Sequence, residues 1–247
     1  SMPRLLFLGG SNTDFSIKAP VFSSKLIEHF NVLSYEPRGL GRSASPAGDW
    51  TMKDYALDAI ALLDAFGWDE AFVVGESFGG MTSLEVAMRF PARVRKLCIT
   101  AAASGGGGGS SYPIHKFLDL PPREKAIAAL SVMNGDFKSL LDEKPEVAEG
   151  QIAARIATDA AFLESCDNVS GYPRLLAARA GHNAYDRLHR ITVPTLVFSG
   201  IMDQQAPVAC GIAMAERIPN AELFTFDGGH GFTFADPRPA EAILTQW

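Results

Sequence analysis

The stretch VVGESFGGM, residues 73–81, decides the fold class of this 247-residue chain. Apolar residues lead directly into a cluster of glycines that surrounds Ser77. A glycine turn of this kind either brings backbone amides close to a phosphate or lifts a nucleophile out of a sheet. A dinucleotide loop needs a glycine where Ser77 stands, and a P-loop ends in Gly-Lys-Ser or Gly-Lys-Thr rather than Gly79-Gly80-Met81. The residues instead match Gly-x-Ser-x-Gly, in which the serine occupies a strained turn between a buried strand and a helix.

Strands and helices alternate on both sides of this turn. Short apolar runs predict six strands, at Leu5–Leu8, Asn31–Tyr35, Ala71–Val74, Val94–Ala101, Thr195–Phe198 and Glu222–Phe226. Helical spacing of apolar residues predicts helices near Ile17–Phe30, Thr51–Phe66, Phe78–Phe90, Pro207–Arg217 and Pro239–Gln246. The alternation predicts an α/β fold, with a mostly parallel, doubly wound sheet covered by helices on both faces.

The second of these helices has the clearest boundaries. Thr51 and Asp54 resemble a capping box, with Asp in place of the usual Glu, and Gly67 is a favourable stop. Its apolar face is predicted at Ala56, Ile60, Leu63 and Phe66.

The alternation stops after the fourth strand. A glycine-serine run, Ser104–Ser111, precedes an alanine-rich region with predicted helices at Arg123–Met133, Glu146–Cys166 and Leu175–Ala180. We therefore divide the chain into a core, residues 2–111 and 191–247, and a helical insertion, residues 112–190. The glycine run is compatible with a flexible linker between independent domains. We favour a lid packed on the sheet, because the insertion is small and alanine-rich for a unit that folds alone.

The composition is that of an ordinary globular chain. Hydrophobic residues make up 47% and charged residues 20%, so a buried core is expected. A net charge of −6 without a basic cluster disfavours nucleic-acid binding. The three cysteines, Cys98, Cys166 and Cys210, lack Cys-x-x-Cys spacing, which disfavours a zinc site or a disulfide framework. No apolar stretch approaches the ~20 residues of a membrane span, so we expect a cytoplasmic protein.

A serine hydroxyl needs a base, and the base needs an orienting carboxylate. Of the five histidines, His230 lies between glycines in the loop after the last strand, which suits a catalytic base. Asp203 is the acid in the loop after the fifth strand; its structural alternative is to cap the following helix. The order Ser77, Asp203, His230 is that of α/β-hydrolases. For the other four we favour structural or surface roles: His29, His115, His182 and His189.

Four stretches together resemble the α/β-hydrolase fold family, in particular its capped esterase, enol-lactonase and C–C hydrolase branch. They are LLFLGGSNTD (5–14), YEPRGLGRS (35–43), VVGESFGGM (73–81), and VPTLVFSGIMDQQAP (193–207) with GGHGF (228–232). The resemblance implies a helical cap inserted after the fourth core strand and a reaction that needs no metal or organic cofactor. It also implies antiparallel strands before the first parallel one, whereas we expect the sheet of this sequence to begin at Leu5. Either the core is minimal or a partner covers that sheet edge, as in a homodimer.

The resemblance also implies roles for residues around the serine. The backbone N–H groups of Ser11 and Phe78 are expected to form the oxyanion hole. Glu36, where the family has Asp, and Arg38 are expected to hold their loop near the nucleophile turn. Glu76 is expected to make a structural hydrogen bond beside Ser77.

The expected function is hydrolysis of small carboxylic esters or lactones through an acyl-enzyme on Ser77, as in a carboxylesterase. C–C bond hydrolysis, perhydrolysis and acyl transfer use the same triad and stay open. A receptor with very slow turnover is a further alternative. Epoxide hydrolases and haloalkane dehalogenases are excluded, since they need Asp where Ser77 stands. Six apolar residues of the insertion either line an acyl pocket or pack the lid: Phe117, Leu118, Met133, Leu140, Phe162 and Leu163.

Overall fold

The computed structural model describes residues 2–16, 18–166 and 168–247. Its centre is one six-stranded sheet, formed by β1 (Arg4–Leu8), β2 (Asn31–Ser34), β3 (Ala71–Glu76), β4 (Val94–Thr100), β5 (Thr195–Gly200) and β6 (Ala221–Phe226). The strand order is β2-β1-β3-β4-β5-β6 and every pairing is parallel. All six predicted strands are confirmed. From β1 the chain first adds β2 on one side and then β3 to β6 on the other, so the strand order changes direction between β1 and β3. The carboxyl ends of the strands at such a point form a crevice.

Helices cover both faces of the sheet, which confirms the doubly wound α/β fold. The core helices are α1 (Leu26–His29), α2 (Met52–Ala65), α3 (Phe78–Arg89), α8 (Val208–Arg217), α9 (Phe232–Ala235) and α10 (Arg238–Gln246). One hydrophobic cluster packs α2, α3 and α8 on the sheet, and a second packs α1 and α10 on the opposite face.

The predicted helix at 17–30 is wrong over most of its length. Ile17 lies outside the described residues, and the chain forms a short 3₁₀ turn, Pro20–Ser23, before the one-turn helix α1. The Ser24 hydroxyl donates to the carbonyl of Val21 and accepts from the N–H of Leu26. Such local side-chain bonds compete with helical ones, and Pro20 supplies no N–H.

Helix α2 begins as predicted. The N–H of Thr51 donates to the Asp54 carboxylate at 2.8 Å, which is one half of a capping box. Phe66 departs from the predicted apolar face, because it lies just beyond the helix and is 57% exposed. Gly67 follows with a φ of +62°, the left-handed conformation of a helix stop.

In its described residues, the insertion between β4 and β5 contains four α-helices: α4 (Pro122–Met133), α5 (Phe137–Glu143), α6 (Pro145–Glu164) and α7 (Asn168–Ala180). Helices α4 to α6 share a small apolar cluster of their own, whereas α7 packs against Tyr55 and Phe78 of the core. The approach of α7 is close, since a Cβ on Gly171 would lie 1.7 Å from the carbonyl oxygen of Gly39. The glycine run also touches the end of α7, because a Cβ on Gly105 would lie 2.1 Å from the carbonyl oxygen of His182.

No helix in the described ranges is both long and apolar enough to cross a membrane.

Candidate active site

Ser77 occupies the tight turn between β3 and α3. Its φ of 54° and ψ of −113° are strained for a residue with a side chain, and its N–H is fixed by a 2.9 Å bond to the carbonyl of Thr100. Small neighbours make this turn possible. A Cβ on Gly79 would lie 1.9 Å from the carbonyl oxygen of Leu8, and one on Gly75 would lie 2.4 Å from the carbonyl oxygen of Gly79. The turn therefore presents Ser77 at the carboxyl edge of the sheet.

Asp203 and His230 reach the same edge from the loops after β5 and β6. His230 Nε2 lies 2.8 Å from Ser77 Oγ, and His230 Nδ1 lies 2.8 Å from Asp203 Oδ2. The other oxygen of Asp203 accepts the N–H groups of Gln205 and Ala206, at 2.8 and 2.9 Å. All three side chains are buried, with Asp203 only 1% exposed. The structure thus joins the three predicted residues in one hydrogen-bonded chain, with geometry suited to moving a proton from Ser77 to His230.

Gln205 is part of this arrangement and was not predicted. Its carboxamide nitrogen lies 2.7 Å from His230 Nε2, the same atom that contacts Ser77. A neutral imidazole that donates from Nδ1 to Asp203 has one lone pair at Nε2, so the Gln205 amide and the Ser77 hydroxyl compete for it. The only sequence signal was its position, two residues after Asp203.

The loop after β1 lies beside Ser77. A Cβ on Gly10 would be 3.8 Å from Ser77 Cβ, so the loop that contains Ser11 approaches this side chain closely. Within the described residues, neither the N–H of Ser11 nor that of Phe78 donates to a protein acceptor, so both are available to an oxyanion. The side chain of Ser11 also lies beside Tyr172 of α7 and lowers the pKa of that phenol, against the larger effect of burial, which was not predicted.

Glu76 is the residue before Ser77, and its carboxyl group lies near Thr233 of α9. The hydroxyl of Thr233 lies 2.6 Å from that of Thr100. Burial raises the pKa of Glu76, while His230 and Thr233 lower it, and burial prevails. Glu76 does not belong to the chain that joins Ser77, His230 and Asp203.

Glu36 and Arg38 have different roles in the loop after β2. The Glu36 carboxylate accepts the N–H groups of Phe15 and Arg42, at 2.7 and 3.0 Å, and so ties the β1 and β2 loops together. Arg38 instead forms a two-pronged ion pair with Asp58 of α2, each bond 2.6 Å long. Its guanidinium group therefore fixes the loop to α2 rather than directly to the nucleophile turn.

The remaining histidines lie away from Ser77. His29 and His189 are exposed, and His115 is half-buried in the insertion. His182 follows α7 and is buried, and neither ring nitrogen has a hydrogen-bond partner within the described chain. Burial lowers its pKa to about 4, with a further lowering by Arg187 and Arg179 and an opposing effect of Glu85, so the ring is neutral near pH 7.

The six apolar residues of the insertion do not share one place. Phe117 packs with α4, and Leu140 packs among α4 to α6. Leu118 and Phe162 pack at the edge of the cluster around Phe78. Leu163 is half-buried. Met133 comes closest to the triad, because its carbonyl accepts the backbone N–H of His230 at 2.6 Å.

Among the residues that the structure describes, no group of three or more His, Cys, Asp or Glu side chains is arranged to hold a metal ion.

Comparison with known proteins adds to this geometry. A family model described as the alpha/beta hydrolase family matches residues 5–244. The 3-oxoadipate enol-lactonase 2 of Acinetobacter baylyi is 26% identical over 249 residues, covering 99% of this chain and 90% of the relative. The RutD protein of Caulobacter segnis, provisionally named a carbamate hydrolase, is 31% identical over 225 residues, covering 86% of this chain and 79% of the relative.

Solved structures show the same architecture. An enol-lactonase from Burkholderia xenovorans aligns with a TM-score of 0.75, covering 100% of this chain and 90% of its own. At 24% identity, this likeness concerns the fold alone.

Proposed function

This chain belongs to the alpha/beta hydrolase family, and we propose that within it the protein is a serine hydrolase of carboxylic esters or lactones. The observation that carries the proposal is the hydrogen-bonded chain from Ser77 Oγ through His230 to Asp203, with both contacts at 2.8 Å. A serine held in this way is the usual attacking group in acyl transfer.

The proposed reaction proceeds in two halves. Ser77 Oγ attacks the carbonyl carbon as His230 Nε2 takes the hydroxyl proton, and His230 then gives that proton to the departing alkoxide. Asp203 holds the tautomer with a proton on Nδ1 and stabilises the imidazolium ion. Water, deprotonated by His230, then attacks the acyl carbon; as the bond to Ser77 Oγ breaks and the acid is released, His230 returns the proton to Ser77 Oγ.

The oxyanion formed in each half is stabilised by backbone N–H groups. Those of Ser11 and Phe78 are the proposed donors, since both lie beside Ser77 at the end of β1 and the start of α3. Each such donor is worth about 3 kcal/mol in the transition state. The α3 N-terminus adds a favourable dipole at the same place.

The test is a 4-nitrophenyl ester assay on the wild type and on Ser77→Ala. We expect the substitution to lower kcat by about 10⁴-fold or more, with an unchanged circular dichroism spectrum. A fluorophosphonate should label Ser77 in the wild type, as read by mass spectrometry of the peptide. Turnover retained by the variant would exclude the acyl-enzyme on Ser77.

A substrate panel separates the closer alternatives. It contains esters of graded acyl length, a lactone, a carbamate and a C–C hydrolase substrate. The carbamate is included because of the RutD relative. The highest kcat/KM identifies the bond that is cleaved, and turnover slower than about one per hour on every compound would favour a receptor.

A further inference from the structure

The buried face of α7 carries a charged side chain, that of Arg179. Only 4% of this residue is exposed, and it shares the face with Leu175 and Leu176, which are fully buried. Its Nη1 donates to the carbonyl of Tyr112 at 2.9 Å. Its Nε and Nη2 are buried and have no partner within the described part of the chain. These two nitrogens lie on one edge of the guanidinium plane, the fork that binds a carboxylate with two parallel hydrogen bonds.

Within residues 2–16, 18–166 and 168–247, no carboxylate is paired with the charge of Arg179. The phenol of Tyr172, rather than an acidic residue, is the group that acts on it electrostatically. Burial lowers the pKa of the guanidinium to about 10, so it remains a cation near pH 7. A buried cation without a counter-ion is unfavourable, and an anion that entered beside it would supply the missing partner.

Two neighbours of Arg179 lead towards Ser77 and His230. On one side is Tyr172, whose phenol acts on the charge of Arg179 and lies beside the side chain of Ser11 in the loop next to Ser77. On the other side is Tyr112, whose N–H donates to the carbonyl of Gln205 at 2.7 Å. The carboxamide of Gln205 contacts His230. Arg179 is therefore linked to the His230 side of the site through Tyr112 and Gln205.

We propose that Arg179 binds a carboxylate of the substrate, so that the preferred substrates are esters or lactones that also carry a carboxylate group. This inference rests on the proposed function and adds the substrate class. It does not follow from the net charge of −6, which repels anions; it requires a local cation.

The experiment compares esters that differ only in a terminal carboxylate. Mono-4-nitrophenyl succinate, glutarate and adipate are paired with 4-nitrophenyl butanoate, pentanoate and hexanoate. In the wild type, at least one acid should exceed its neutral partner in kcat/KM. Arg179→Met should lower kcat/KM for that acid by about 100-fold, chiefly through KM, because a buried charge-assisted pair is lost. The neutral esters should change by less than about 3-fold, and Arg179→Lys should recover part of the loss.

Arg123→Met is the matched control, because Arg123 is an arginine of the insertion with an exposed side chain paired to Glu149. It should leave every substrate unchanged. Equal losses on acids and neutral esters in Arg179→Met would identify a structural support for Tyr112 and overturn the proposal. So would a wild type that prefers the neutral ester in all three pairs.

Failure of the proposed function gives a different result. In that case no ester shows turnover that depends on Ser77, and the Arg179 site is tested by binding alone. Succinate, glutarate and adipate are titrated calorimetrically into Ser77→Ala. Binding of one of them that disappears in the Ser77→Ala, Arg179→Met double variant supports the site. Absence of binding by all three overturns it.

Discussion

The cluster of Ser77, Asp203 and His230 and the C-terminal end of α7 both bury polar side chains, but they differ in how these side chains are partnered. Every side-chain oxygen and nitrogen of Ser77, Asp203 and His230 has a hydrogen-bond partner in the protein. At the end of α7, two nitrogens of Arg179 and both ring nitrogens of His182 have none among the described residues. Complete partnering makes the first region rigid and self-sufficient.

This difference matches the two proposals above: the fully partnered cluster around Ser77 carries out the reaction, and the unpartnered Arg179 binds the ligand. Buried polar groups without partners destabilise a fold, and a bound ligand that supplied the missing partners would offset this cost. The opposite end of α7 buries a polar side chain that does have partners. At its N-terminal end, the Asn168 amide donates to Asp14 at 2.8 Å and accepts from the N–H of Gly41 at 2.7 Å.

A substitution that breaks the hydrogen bonds among Ser77, His230 and Asp203 should have the largest effect, which is a loss of activity. Asp203→Asn preserves shape and can still accept from Gln205 and Ala206, but its amide N–H₂ then faces His230 Nδ1. The ring takes the tautomer with a proton on Nε2, which cannot accept the proton of Ser77. We expect kcat on a 4-nitrophenyl ester to fall by about 10⁴-fold with little loss of stability.

Asp227→Asn is the control, because this carboxylate follows the same strand as His230 and its side chain is 77% exposed. Its activity should equal that of the wild type. More than a tenth of wild-type activity in Asp203→Asn would mean that the orienting carboxylate is another residue.

The buried, unpartnered ring of His182 should make the unfolding free energy depend on pH. The pKa of His182 is about 4 in the fold and about 6.5 when unfolded, so the unfolded state binds the extra proton between these values. Burial of the neutral ring therefore carries no protonation cost above pH 6.5, and the unfolding free energy falls as the pH is lowered from 6.5 towards 4. The total is about 3 kcal/mol.

The measurement is urea unfolding of wild type and His182→Leu at pH 7, 6, 5 and 4. The difference in unfolding free energy between the two should shift by about 3 kcal/mol in favour of the variant across this range. His189→Leu, on an exposed histidine of the same segment, should show no such shift. Parallel pH curves for wild type and His182→Leu would show that His182 titrates normally.

The partnered region was largely predictable from the sequence, and the unpartnered one was not. Ser77, Asp203 and His230 each follow a short apolar strand in a glycine-rich or acidic loop, so a local pattern marks each of them. Parallel strands then bring their carboxyl ends to one edge without any knowledge of packing.

Arg179 and His182 have no such local marker. In the alanine-rich segment around them, a charged residue on a helix is ordinarily solvent-exposed. Their burial depends on which face α7 turns to the core, and the close approach of Gly171 to Gly39 fixes that face. This contact joins two residues distant in sequence, and neither Gly-rich loop composition nor helical spacing encodes it. The short helix α5 was missed for the same reason, because it is stabilised by packing between α4 and α6.

The link between the two regions can be tested at that contact. Gly171→Ala places a Cβ against the Gly39 carbonyl and should lower the unfolding free energy by about 1–3 kcal/mol as α7 is displaced. Gly150→Ala in α6 is matched to it, since a Cβ there meets nothing within 4 Å. That control should raise stability by about 1 kcal/mol, as helix propensity predicts. Equal effects of the two substitutions would mean that α7 is not held by this approach.

The smallest expected effect is a gain in stability on substitution of Arg179. Arg179→Met removes a buried charge without a counter-ion and loses one hydrogen bond to Tyr112, so we expect the ligand-free variant to be more stable by about 1 kcal/mol. The matched variant Arg123→Met should melt with the wild type. A less stable Arg179→Met would place Arg179 among the fully partnered groups and remove the contrast between the two regions.

A carboxylate ligand should reverse that order of stability. A ligand that binds only the native state stabilises it by RT ln(1 + [L]/Kd), which is about 1.4 kcal/mol at ten times Kd. Glutarate, or whichever diacid binds best, should therefore raise the Tm of the wild type and leave that of Arg179→Met unchanged. Above some concentration the wild type becomes the more stable protein. Below this concentration Arg179 lowers the stability of the ligand-free protein. Above it, the pair between Arg179 and the carboxylate stabilises the ligand-bound protein.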